Sequence, residues 1–156
     1  MTLRYHTPLS PEEQTAAGLP APWPFAIADR VRWGELDQLG HVNNAAYMVW
    51  FETARIRYFA ERGVVGPEAG HVTVIRRGEI DWLAEMRGEP DYVVTVRCTE
   101  IRRTSFTLES ELWSEGRCTA RFRCVIVLIA ADRSGKVALP EALRRRFIEA
   151  DGATEG

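Results

Sequence analysis

The chain has 156 residues, of which 46% are hydrophobic and 27% charged, with a formal net charge of −2. Such values describe one ordinary soluble domain able to hide about 68–70% of its unfolded surface, so a core needs neither metal nor disulfide staples. The lack of a basic excess argues against a nucleic-acid partner, and the longest apolar run, Cys124 to Ala131, falls far short of the roughly 20 residues that cross a bilayer.

The first residues, MTLRYHTPLSPEEQ, lack the apolar stretch of a secretory signal. Cys98, Cys118 and Cys124 are odd in number and show no CxxC spacing, so they read as reduced thiols packed as small hydrophobes in a cytoplasmic protein. His6, His41 and His71 are scattered without a partner at zinc-like spacing, and no metal site is expected. Lys136 is the only lysine. Arginine suits phosphate recognition, although genomic base composition explains the bias equally well.

Residues 1–24 carry Pro8, Pro11, Pro20, Pro22 and Pro24 and little periodicity. Within them SPEEQTAAG, from Ser10, predicts a short helix with Ser at the N-cap and Pro at N1, and the rest is expected to lie extended over the surface. Phe25 to Trp33 alternates apolar and polar residues as a strand does, and GELDQLGH is a loop by its Gly34, Asp37 and Gly40. NNAAYMVWFETARIRYFAERG then predicts a helix roughly 27–30 Å long, capped by Asn43 or Asn44 and closed by Gly63. Its first half, Ala45 to Phe51, is apolar on every face, which requires burial on most sides.

From His71 the period changes to two. Residues 71–86, 91–106, 105–115 and 117–132 are rich in Val, Ile, Thr and aromatics, with breakers at Gly88–Pro90, Arg103–Ser105 and Gly116. A last helix is expected over Pro140 to Ala150. One antiparallel sheet must therefore wrap the single apolar helix. The sheet's other face needs cover, which in so short a chain points to a partner subunit.

The chemistry concentrates between Val31 and Arg57. Asp37 lies in a glycine-bounded loop just before the start of the apolar helix, whose unpaired N–H groups favour an anion. A carboxylate beside oxyanion-stabilising donors is the minimum equipment for acyl transfer. Each residue also has a plainer role. Asp37 can bond its own loop backbone, His41 can orient that loop, and Asn43 and Asn44 can cap the helix. Glu52 and Arg55 can form an i, i+3 ion pair, and Tyr47, Trp50 and Phe51 can be helix core.

The run DQLGHVNNAAYMVWFETAR, Asp37 to Arg55, resembles the hotdog-fold thioesterases of the 4-hydroxybenzoyl-CoA thioesterase type. It is also similar to the plant acyl-ACP thioesterases, which carry an Asp, an HVNN run and a later Glu. RRGEIDW, Arg76 to Trp82, and RTSF, Arg103 to Phe106, extend the likeness more loosely. The resemblance implies an α+β hotdog fold over residues 1–156, an antiparallel sheet around one long central helix, with 1–24 as a proline-rich extension. It implies Asp37 as nucleophile or general base, with His41 and Glu52 as the other catalytic residues. Asn43, Asn44 and Tyr47 would bind substrate, and the helix start around Val42 to Ala46 would supply the oxyanion donors. Leu39 stands where the plant enzymes hold an asparagine, so their full set is incomplete here. The bacterial CoA enzymes do not need that asparagine, which favours a CoA thioester over an acyl-carrier protein.

For the CoA phosphates the candidates are Arg76–Arg77, Arg102–Arg103 and Arg144–Arg146. Adjacent strand residues face opposite sides, so one of each strand pair can join a given site. Arg76 and Arg103 are preferred, the latter beside Ser105 at a bend. The expected activity is hydrolysis of an acyl-CoA to acid and CoA, without a cofactor, in a homodimer or homotetramer with no membrane or nucleic-acid partner. A hydratase or dehydratase acting on the carbon chain, and a non-catalytic acyl-CoA binding module, are the alternatives.

Overall fold

The computed structural model describes residues 3–66 and 69–156. Near its start the proline-rich segment forms α1, Pro11–Ala16, on a complete capping box. The Glu13 N–H donates to Ser10 Oγ at 3.2 Å, and the Ser10 N–H donates to Glu13 Oε2 at 2.7 Å. After β1, Ala26–Arg30, and a 3-10 turn at Trp33–Glu35 comes the long helix α2, Asn44–Arg62. Asn43 is its N-cap and accepts from the Ala45 N–H at 2.9 Å.

Gly63 ends α2 in the left-handed region at φ 68°. A methyl group there would also meet the guanidinium of Arg146, which donates to the Arg62 carbonyl at 2.7 Å. Gly63→Ala is therefore expected to cost about 1–2 kcal/mol from the backbone alone. The check is a denaturant titration in which the midpoint falls and the slope does not change.

The remaining elements are β2 (His71–Trp82), β3 (Asp91–Thr95), β4 (Arg97–Ile101), β5 (Ser105–Ser114), β6 (Arg117–Ala130), α3 (Glu141–Asp151) and β7 (Thr154–Glu155). The strand expected over residues 91–106 is thus divided at Val96, whose N–H leaves the ladder for the Phe25 carbonyl at 2.9 Å. β3 and β4 still run in one line, both antiparallel to β5. β6 follows β5 and β2 follows β6, while β1 flanks β3 and the short β7 runs parallel to β4. The result is an α+β arrangement, one seven-stranded sheet with α2 against it.

Helix and sheet meet through residues three or four apart on α2: Tyr47, Trp50, Phe51, Ala54, Tyr58 and Phe59 are all buried. Phe51 stacks on Phe122 with ring centres 5.2 Å apart, Trp50 on Tyr92 at 4.2 Å, and Phe59 meets Phe106 edge-on at 6.1 Å. The apolar first half of α2 is not enclosed all round, contrary to the sequence expectation. Met48 and Val49, with Ile56 further along, are between 41% and 57% exposed, because the sheet covers only one side of the helix. No helix among the described residues is long and apolar enough to cross a membrane.

The far face of the sheet is covered in part by the chain itself. Leu9 and Leu19 pack on Ala26, Ala28 and Val93, with Trp23 and Trp113 alongside. Buried Gln14 pins this segment by donating to the Leu9 and Trp23 carbonyls at 3.2 and 3.1 Å and accepting from the Trp23 N–H at 2.7 Å. Toward β2 the same face is charged. Glu79, Arg123, Glu109 and Arg97 stand opposite one another across four strands, and Asp81, Arg121 and Glu111 make the next row. β2 itself pairs along one edge only among the described residues and leaves Val72, Val74, Ile75 and Trp82 exposed, with Leu83 exposed just beyond it. Cys98, Cys118 and Cys124 are free thiols; burial pushes that of Cys124 up to about 11 and raises that of Cys98 further.

Candidate active site

The loop between the 3-10 turn and α2 is closed by Asp37. Its Oδ1 accepts from the Leu39 N–H at 2.8 Å and from the His41 N–H at 3.1 Å. Its own N–H donates to the His41 carbonyl at 2.7 Å, and its carbonyl accepts from Gly40 at 3.0 Å. Gly40 sits at φ 74°, a conformation that suits glycine. One carboxylate oxygen thus holds the loop, and Oδ2 makes no hydrogen bond among the described residues.

Glu35 fastens this loop to the helix. Its Oε1 accepts from Trp50 Nε1 at 2.8 Å, its Oε2 from the Arg32 N–H at 2.7 Å, and its carbonyl from the Asn43 N–H at 2.8 Å. At the helix start the Val42, Asn43, Ala45 and Ala46 N–H groups all have partners, the first in the Met86 carbonyl at 2.9 Å. Of the donors expected between Val42 and Ala46, the Asn44 N–H is left free among the described residues.

Asp37, His41, Asn44 and Tyr47 line one cleft of about 330 Å³, whose opposite wall is Trp82, Leu83, Ala84 and Glu85. His41 Nε2 lies 3.3 Å from Glu85 Oε2, and Glu85 Oε1 accepts from Arg87 Nε at 2.9 Å. Arg87 holds the Glu85 carboxyl below the usual range. Burial raises the Tyr47 hydroxyl above its ordinary value. Asn43 is not among the residues that line the cleft, and its side chain is committed to the cap.

The other candidates stand apart. Glu52 is on the exposed side of α2, paired at 3.7 Å with Arg55, about 12 Å along the helix from Asn44 at 1.5 Å per residue. Arg76 is the extra residue of a bulge in β2, where the register slips between Ile75 and Arg77. Ser105 is level with Val127 of β6, whereas Trp82 is level with Ala120 of the same strand, a separation of roughly 23 Å at the rise of a strand. Arg103, in the turn before Ser105, is at that far end too, its carbonyl accepting from the Leu139 N–H at 2.9 Å. Arg144 and Arg146 are occupied with Glu155 and the Arg62 carbonyl.

Trp82, Leu83 and Glu85 escaped the sequence reading as site residues. They lie where β2 ends, and nothing local in the run marks the wall they form. A second hollow of about 280 Å³ lies on the charged outer face between Trp23, Arg97 and Arg121 and contains none of the motif residues. Among the described residues no group of three or more His, Cys, Asp or Glu side chains is placed to hold a metal ion.

A family model described as the thioesterase-like superfamily matches residues 31–147. A thioesterase-superfamily protein from Jannaschia sp. CCS1 is 42% identical, with a TM-score of 0.90 over 98% of this chain and 99% of that one. A thioesterase from Thermus thermophilus, solved in complex with coenzyme A and zinc, is 32% identical, with a TM-score of 0.72 over 85% of this chain and 98% of that one. An uncharacterized Bacillus subtilis protein, YsmA, is 28% identical over 78 residues, which span 50% of this chain and 53% of that relative.

Proposed function

The chain belongs to the thioesterase-like superfamily of hotdog-fold proteins, and from that membership we propose that it hydrolyses an acyl-CoA thioester to the free acid and CoA. The observation that supports this reading is that Asp37, whose Oδ2 is uncommitted, and Asn44, whose N–H is free among the described residues, line one cleft. The coenzyme A bound to the Thermus relative supports the choice of carrier.

In this mechanism the thioester carbonyl oxygen points at the Asn44 N–H, where the positive end of α2 steadies the developing oxyanion. Asp37 Oδ2 then acts in one of two ways. As nucleophile it bonds to the carbonyl carbon and the C–S bond breaks, leaving CoA thiolate and a mixed anhydride that water hydrolyses. As general base it takes a proton from the water that bonds to the carbonyl carbon, the C–S bond breaks, and the CoA thiolate leaves and takes up the proton. His41 and Tyr47 line the same cleft, and Glu52 pairs with Arg55 on the exposed side of α2.

Arg76, Arg103 and Ser105 fit a substrate role only if a second copy is present. Antiparallel pairing of two β2 edges sets the His71 end of one strand beside the Trp82 end of the other. The distant arginines of one subunit would then approach the Asp37 cleft of its partner. The apolar residues along that free edge support a homodimer.

Thiol release from a panel of short, long and aromatic acyl-CoAs tests the reading. Steady release from at least one class is the expected result, and the same acyl group on an acyl-carrier protein decides the carrier. Hydration of an enoyl-CoA without thiol release, or CoA binding without turnover of any thioester, overturns it.

A further inference from the structure

Glu85 stands across the cleft from Asp37, in the connection between β2 and β3, and its two oxygens are divided between neighbours. Oε1 takes the Arg87 Nε–H at 2.9 Å, and Oε2 is 3.3 Å from His41 Nε2. That imidazole nitrogen is shut off from solvent and has no aligned hydrogen bond. A buried ring nitrogen without a partner is costly, and a small rotation of either side chain aligns it with Glu85.

The backbones carrying the two residues are themselves joined. His41 bridges to Arg87, the Val42 N–H donates to the Met86 carbonyl at 2.9 Å, and the Gly88 N–H to the Gly40 carbonyl at 3.4 Å. His41 in turn holds Asp37 through both its N–H and its carbonyl. The charged groups around His41 are Asp37 from its own loop, Glu85 and Arg87 from the opposite wall, and Arg117 at the start of β6, which acts on Glu85.

We propose that Glu85 is a positioning residue for this site: its Oε2 accepts a hydrogen bond from His41 Nε2–H and fixes the ring's orientation and tautomer beside Asp37. In a neutral imidazole held this way, Nδ1 is the acceptor nitrogen. Arg87 keeps Glu85 ionised for the task. The effect on rate rests on the thioesterase reading given above; the effect on the ring does not.

The test uses full-length wild type, Glu85→Ala and Glu85→Asp, with two readouts. Nitrogen-15 spectra of the histidine rings, with His41 assigned by its replacement, are expected to give a single Nε2–H tautomer in wild type. Mixed tautomers are expected in Glu85→Ala and recovery in Glu85→Asp. In thioester hydrolysis kcat falls about tenfold in Glu85→Ala, the lower end for loss of a group that orients a functional ligand, with KM within twofold. The Glu85 side chain is more than half exposed, so its truncation leaves the fold intact. A ring spectrum indifferent to the substitution overturns the proposal, as does a changed spectrum with unchanged kcat. If wild type turns over no thioester the proposed function fails, and the ring spectra alone still decide the role of Glu85.

Discussion

Asp37→Asn is expected to lower thioester turnover by about 10²–10⁴-fold, the range for loss of a general base, while the protein folds as before. Asparagine is the right replacement because it keeps an oxygen to accept the Leu39 and His41 N–H groups, now met by Oδ1 at 2.8 and 3.1 Å. The loop therefore persists, and only the charge and basicity of Oδ2 are removed. Alanine would take away the loop's anchor as well and confound the two roles. The measurement is thiol release with a thiol-reactive dye, set beside a thermal melt of the same sample. A collapse of turnover with an unchanged melt assigns the chemistry to the free oxygen. Turnover close to wild type removes Asp37 from the mechanism, whichever acyl group is used.

The largest stability loss is expected at the opposite end of α2. The Asp151 side chain has no exposure, and it accepts from Arg62 Nε at 3.0 Å, Arg62 Nη2 at 2.7 Å, the Cys98 N–H at 2.8 Å and the Tyr58 hydroxyl. Burial, then the charge of Asp151, pushes the Tyr58 phenol far above its ordinary value, so it remains a donor. The Arg62 guanidinium lies over the same ring at 5.1 Å. Asp151→Ala strands a cation, a hydroxyl and an amide in a buried site. Breaking a buried pair from one side costs about 3–5 kcal/mol, which for a chain of this size lowers Tm on the order of 10 °C. Glu79→Ala supplies the contrast, since its pair with Arg77 is 56% and 72% exposed and its loss is expected to leave Tm unchanged. A melt of Asp151→Ala close to wild type would mean that these contacts do not hold α3 to the rest of the structure.

Much of the candidate site was legible because its parts are close in the chain. Asp37, His41, Asn43 and Asn44 fall within eight residues, and the loop bonds and helix cap that organise them span four residues or fewer. Both readings of Asp37, loop anchor and reacting group, were available from this run, but that the loop bonds occupy Oδ1 alone was not. The two arginines illustrate a different limit. Arg76 sits exposed at the bulge within β2 and Arg103 exposed in the turn before β5, and their distance from the cleft follows from the register of β2 and β5 on β6, which alternation alone does not reveal.

What the amino-acid order determined by itself was the three helices, most of the strands and the place of the cleft's first wall. Ser10 with Glu13, Asn43 with Ala45 and Gly63 at φ 68° act within one turn of their own helix, and the period-two runs mark strands whatever they pair with. Tertiary structure decided what lay opposite. Glu85 faces His41 because the chain after β2 returns beside Gly40 to Val42. The proline-rich segment covers β1 and β3 because Leu9 and Leu19 find partners there. Asp151 meets Tyr58 although 93 residues separate them. Such contacts depend on sheet register and on which apolar faces are left to bury, and these are properties of the whole packed chain.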